Sequence, residues 1–214
     1  MDKVRVSPSS THGSGVFATR IIRKGEKITQ YPEDLVFEND RQGRGYKVIG
    51  CPHGTDYIKA KVAIFEADDD QLLNYLQHVK NDIHVYGDPS IHSPKACAHL
   101  INDAVKLDKI DCNPAVENIG KGFHAYLLQS VTRLNCMIET IKGKCWAVAT
   151  RDIQDGDELF TSYGYQYWIK YPFTAMENHL YAYVQMLNPR QNDAFYTLIS
   201  AFNGLTVLIQ AGRC

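Results

Sequence analysis

Gly13-Ser14-Gly15 places two residues without a Cβ on either side of a serine, which leaves amide and carbonyl groups open to the close approach of a ligand. Turns ask the same of their glycines, so this element taken alone reads first as a turn. Tyr163-Gly164 ends the run Glu158-Leu159-Phe160-Thr161-Ser162, and a tyrosine in that setting is commonly a core ring whose hydroxyl bonds to backbone. The pairs Cys51-Pro52-His53 and Cys97-Ala98-His99 would supply four ligands to one zinc ion if the fold brought them together. None of the six cysteines stands at C-x-x-C spacing, so free thiols in a reducing compartment and no metal are the simpler reading. Asp68-Asp69-Asp70 could bind a cation, but an acidic first turn of a helix explains it with less. The eight histidines show neither His-Glu-x-x-His nor Ser-His-Asp order, which gives a hydrolase no support.

The elements that must position these residues are short. Val4 to about Val36 alternates apolar and small residues with Gly25 and Pro32 between them, a pattern of strands and turns. The polar turn Asp40–Gly45 follows, and Tyr46–Ile49 and Tyr57–Phe65 read as further strands. Leu72, Leu73, Leu76 and Val79 share one helical face behind the acidic triplet, which predicts a helix over about 69–80. Asn81–Pro94 reads as a loop. A second β-rich half is expected from Val116 through Cys136–Glu139 and Cys145–Thr150, with Lys142-Gly143-Lys144 as the hairpin turn. From Ala175 the spacing of Leu180, Tyr183, Val184 and Leu187 predicts a helix that Pro189 stops, and Phe195, Leu198, Ile199 and Phe202 repeat it. The sum is a β-dominated α+β fold. A formal charge of −1 lacks the basic excess that non-specific phosphate binding needs, so no direct nucleic-acid partner is expected. The longest apolar runs fall well short of the roughly 20 residues of a bilayer span, and Met1-Asp2-Lys3-Val4 begins no secretory h-region. A soluble intracellular protein, with no membrane partner, is the expectation.

Three motifs in order carry a resemblance. Gly13-Ser14-Gly15-Val16-Phe17-Ala18, leading to Lys24-Gly25-Glu26, resembles the opening of the SET-domain family of protein lysine methyltransferases. Arg151-Asp152-Ile153 followed by Gly156, Glu158-Leu159 and Tyr163-Gly164 resembles that family's closing signature, and Leu100-Ile101-Asn102-Asp103 occupies the place of its F-I-N-H segment. The resemblance, over roughly residues 4–170, implies a β-clip or pseudoknot fold, S-adenosyl-L-methionine as methyl donor, and a protein lysine as acceptor, histone tails being the commonest family substrate. It assigns Tyr163 to catalysis beside the transferred methyl, and Gly13, Ser14, Gly15, Asn102 and Asp103 to the cofactor. A fixed phenol suits that task, because in-line transfer from a sulfonium needs an aligned neutral amine. Of the aromatic run Tyr165, Tyr167, Trp168, Tyr171 and Phe173, Tyr167 and Trp168 are the candidate substrate-channel residues, the remainder being packing.

The departures have consequences. Asp103 stands where the family usually has His, and a carboxylate there should alter the hydrogen bonds around the cofactor. Ala104–Cys112 replaces the usual continuation. The expected division is a SET-like domain over 1–173, with an inserted helical segment at about 61–94, and a helical C-terminal extension over 174–214 in place of a zinc cap. The apolar stripes of that extension are core or partner-facing, the sharper version being a homodimer interface. If the substrate is a histone, the protein would act at chromatin in the nucleus or in a host. The alternative is a catalytically weak SET-like module that binds a peptide or a partner protein.

Overall fold

The computed structural model describes residues 2–39, 46–66, 75–80, 83–105 and 116–163, together with 190, 191, 193, 194 and 197. The chain divides into two compact units, one of Met1–Asn102 with Asn135–Leu159 and the other of Asp103–Leu134 with Phe160–Cys214. Strands dominate the first. In chain order they are β1 (Val4–Pro8), β2 (Ser14–Ala18), β3 (Lys27–Gln30), β4 (Leu35–Asn39), β5 (Tyr46–Gly50), β6 (Leu76–Lys80), β7 (Ile83–Tyr86), β9 (Cys136–Ile141) and β10 (Lys144–Ala149), with helix α1 (Thr55–Glu66) between β5 and β6. The chain passes from the first unit to the second within β8 (Asn102–Asp103), and the second unit holds helix α2 (Val116–Arg133) and β11 (Phe160–Thr161).

Three antiparallel sheets make up the first unit: the β1-β2 hairpin, a sheet ordered β3-β10-β9, and a sheet ordered β5-β4-β7-β6. The β9-β10 hairpin turns where the sequence predicts, on Lys142 and Gly143, whose φ angles of 53° and 80° give the mirror-image turn that matches strand twist. Val4, Val16, Ile22, Cys97, Ile101, Cys136, Ala147, Ile153 and Leu159 form one buried cluster drawn from both ends of the sequence. Leu35, Phe37 and Tyr86 form a second beneath β4 and β7.

Four expectations are overturned. Residues 57–65 are helical, not extended: Gly54 at φ 88° halts the strand and Asp56 lies in the first turn of α1, where a carboxylate favours the helix dipole and outweighs the β-branched content. Residues 76–80 are a strand, not the end of a helix, because Leu76–Lys80 can complete a hydrogen-bonded ladder with β7. The loop expected over 81–94 contains β7, whose Ile-His-Val-Tyr alternation marks it as a strand. Val116 begins the 18-residue helix α2, not a β-rich half. Val116, Ile119, Phe123, Tyr126 and Leu127 carry a helical period that Gly120 and Gly122 obscure. Arg190, Gln191, Asp193, Ala194 and Thr197 are helical as expected, and the Thr197 hydroxyl bonds back to the Asp193 carbonyl at 2.8 Å. The rest of the predicted C-terminal helices, the 173/174 boundary, Asp68-Asp69-Asp70 and the helix start near 69 lie outside the described residues.

Candidate functional site

The two terminal motifs lie side by side in the first unit. Leu159 N–H donates to the Val16 carbonyl at 2.7 Å, Ala18 N–H to the Asp157 carbonyl at 2.9 Å, and Ile22 and Ile153 exchange both backbone bonds at 2.9 Å. The turn at Gly25, where φ is 81°, is held by Glu26, whose carboxyl the Arg20 and Lys3 cations pull down to about 2. This antiparallel run sets Glu158 opposite Phe17, two residues from Gly15. A Cβ built on Gly15 would run into the Glu158 carboxylate and lie 3.0 Å from Ser9 Cβ, so close approach requires that glycine. Gly13 is required differently, by a φ of 40° at the end of the turn that Ser9 N–H closes onto the Gly13 carbonyl at 2.8 Å.

Asn102 completes this cluster. Its amide nitrogen lies 3.1 Å from the His12 carbonyl, 3.1 Å from the Ser14 carbonyl and 3.0 Å from Glu158 Oε1, which also accepts from the Ser9 hydroxyl at 2.7 Å. Three acceptors therefore converge on two N–H donors. Gly13, Ser14, Gly15 and Asn102, expected together from the motifs, are together. The sequence reading missed Glu158 and Ser9. The glutamate was legible as the one acid inside the closing signature placed beside a leucine, but its partner depended on strand register. Asn135 supports the arrangement from behind, its amide donating to the Glu158 carbonyl at 2.8 Å.

In the second unit Asp103 and Tyr163 meet. Asp103 is fully buried, and its carboxylate accepts from Val105 N–H and from Tyr163 N–H, each at 2.9 Å. Tyr163 is 39% exposed, which separates it from the buried core tyrosine of the simpler reading. Around it Ala104 N–H donates to the Thr161 carbonyl at 2.8 Å, the Tyr126 and Ser162 hydroxyls share a 2.5 Å bond, and the Arg133 guanidinium lies 4.2 Å from the Phe160 ring centre. Tyr167 and Trp168 lie outside the described residues, as does the rest of the aromatic run.

A family model described as the SET domain matches residues 13–164, well over half of the chain. The chain belongs to the SET domain family. Members of this family are generally protein lysine methyltransferases, and they generally use S-adenosylmethionine. The strand-dominated architecture agrees with a SET-like β-rich fold. No curated protein matches the chain. Among solved structures, that of a candidate histone methyltransferase from Plasmodium falciparum aligns at a TM-score of 0.38 and 18% identity, over 79% of this chain and 99% of that one.

The Cys-x-His pairs of this SET domain are occupied otherwise. His53 Nε2 sits 2.7 Å from Asp34 Oδ1, and His99 Nε2 sits 3.1 Å from the Asp88 carbonyl. Cys97 lies against Thr29, and burial pushes its thiol up to about 11. Among the described residues no group of three or more His, Cys, Asp and Glu side chains could hold a metal ion. Among them, too, no helix is long and apolar enough to cross a membrane.

Proposed function

We propose that this SET domain transfers a methyl group from S-adenosylmethionine to the side-chain amine of a protein lysine, a histone tail being the first substrate class to try. The observation that carries the reading is the convergence of the His12 and Ser14 carbonyls and the Glu158 carboxylate at the glycine turn, gathered by Asn102. An acceptor-rich cluster beside the exposed residues His12, Gly13 and Ser14 suits a ligand that carries both an ammonium and a sulfonium. Bound there, S-adenosylmethionine would supply an electrophilic methyl. Gly13, Ser14, Gly15 and Asn102 would hold it, and Glu158 would add a negative charge that favours a cation.

Tyr163 would orient the acceptor amine. The residue is exposed, and its backbone N–H is held by the Asp103 carboxylate. A fixed donor or acceptor stabilises the transition state more than the ground state, because it need not reorganise as the new bond forms. Tyr163→Phe should therefore lower turnover by about 10²-fold or more, with cofactor affinity and melting temperature nearly unchanged. Titration calorimetry with S-adenosylmethionine, methyl transfer to a histone mixture and to a cell-extract protein pool, and a thermal melt test this together. An unchanged rate in the Phe variant refutes the catalytic role. Peptide binding without methyl transfer would assign the interaction-module alternative instead.

A further inference from the structure

A carboxylate removed from water is stable only where donors replace its hydration. Asp103, fully buried, meets that condition with backbone amides on two separate stretches of chain. Val105 N–H bonds to Oδ1 two residues on, a local turn of the kind aspartate favours, and Tyr163 N–H bonds to Oδ2 from 60 residues away. Charge-assisted bonds of this kind are roughly twice as strong as neutral ones. Neutral histidine, the usual family residue here, offers a single acceptor and could not serve two amides at once. We propose that Asp103 is a positioning residue for methyl transfer: its carboxylate fixes the backbone at Tyr163, so that the tyrosine side chain extends from an anchored Cα. This inference rests on the methyltransferase reading, and it assigns the departure from the family pattern a mechanical role instead of a loss of function.

Hydrogen exchange and kinetics on the full chain test it. In the unmutated protein the Tyr163 amide should exchange at least about 100-fold more slowly than in a free peptide, although the residue is exposed. Asp103→Asn, nearly isosteric, replaces one acceptor with a donor and should speed that exchange by about 10-fold or more while the β9-β10 amides stay protected. The same variant should lower kcat by about 10-fold or more with KM and cofactor affinity within about threefold, and with the shape of the pH-rate profile retained. In a Tyr163→Phe background the Asp103→Asn loss should shrink to less than about threefold, since a residue acting through the phenol has nothing left to position. An equal loss in both backgrounds overturns the proposal, as does an unprotected Tyr163 amide in the unmutated chain. Asp103→Ser, which keeps one acceptor, replaces Asp103→Asn if the latter does not fold. A chain that binds no cofactor and transfers no methyl refutes the methyltransferase reading and Asp103's part in turnover with it, whereas the exchange measurement still decides whether the anchor exists.

Discussion

Two polar networks in the first unit, each built on a carboxylate that accepts from a serine hydroxyl, serve opposite ends. At the glycine turn the Asn102 amide gathers the His12 and Ser14 carbonyls and the Glu158 carboxylate, which also accepts from the Ser9 hydroxyl, beside exposed residues, and none of Asn102, Glu158 and Ser9 is a cation. Beneath the β5-β4-β7-β6 sheet, Asp88 is almost wholly buried and accepts from Lys61 and Tyr57 at 2.8 Å each, from the Ser90 hydroxyl at 2.7 Å and from the Ser90 amide at 3.0 Å. Asp34 ties His53 to the Asp88 amide in the same network. Tyr57 and Lys61 reach it from successive turns of α1, as residues four apart on a helix can. The closed network has spent its charges on one another, which makes it architecture. The open one keeps acceptors near solvent, which makes it the place for a cationic ligand.

The largest effect expected from breaking the contrast is Lys61→Met. Burial alone would raise the Asp88 carboxyl, but the hydrogen bonds from Lys61, Ser90 and Tyr57 outweigh it and hold the group below the carboxylate range. Removing the cation leaves a buried charge short of a partner and should cost about 3–5 kcal/mol in chemical denaturation. S-adenosylmethionine affinity per folded molecule should not change. A parallel loss of affinity would show that the two networks are one site.

Next in size is a pH effect centred on His99. Its ring is buried against Gly87, Nε2 donates to the Asp88 carbonyl, and among the described residues Nδ1 meets no hydrogen-bond partner, so the neutral form is the one that fits. Burial lowers its pKa from 6.5 to about 4. The folded state thus binds a proton less readily than the unfolded chain. The contribution is complete above pH 6.5 and falls away as the pH drops toward 4, by about 3 kcal/mol at most. Denaturation midpoints between pH 7 and pH 4 measure it, and the slope over that interval should flatten in His99→Gln. An unchanged slope in the variant would assign the acid sensitivity elsewhere.

The smallest effect expected sharpens the open side of the comparison. Asn102→Ala removes the amide that bonds to the His12 and Ser14 carbonyls and to Glu158, and should weaken cofactor binding by about 1–3 kcal/mol, read by calorimetry. Its effect on the melting temperature should be smaller than that of Lys61→Met, because His12 and Ser14 are exposed residues whereas Asp88 is buried. The reverse ranking would make Asn102 a structural residue.

How much of this was legible follows from what each signal depends on. Lys142-Gly143 was readable because a two-residue hairpin turn is set by its own φ angles. The motifs at Gly13–Gly15, Asn102 and Tyr163 were readable as an ordered set, although neither end reveals that Glu158 fills the space a Cβ at Gly15 would need. Helix α1 and strand β6 were misread for a shared reason. Each is short, its apolar spacing fits both periods over a few residues, and a neighbour decides the outcome: the Gly54 stop for α1 and the β7 ladder for β6. The partners of Asp103, Val105 and Tyr163, could not be named before the chain was folded, because one of them lies 60 residues away.

The sequence by itself determined the β-dominated class, the family and the residues that lie at its motif positions, since those rest on local pattern and chain order. Only the tertiary structure decided what each of those residues touches. Hydrogen bonds are directional and short, and partners 56 to 149 positions apart, such as Asn102, Ser9 and Glu158, become neighbours only when strand register sets them there. Two adjacent residues do different work, Asn102 bonding to the Ser14 carbonyl and Asp103 to the backbone of Tyr163.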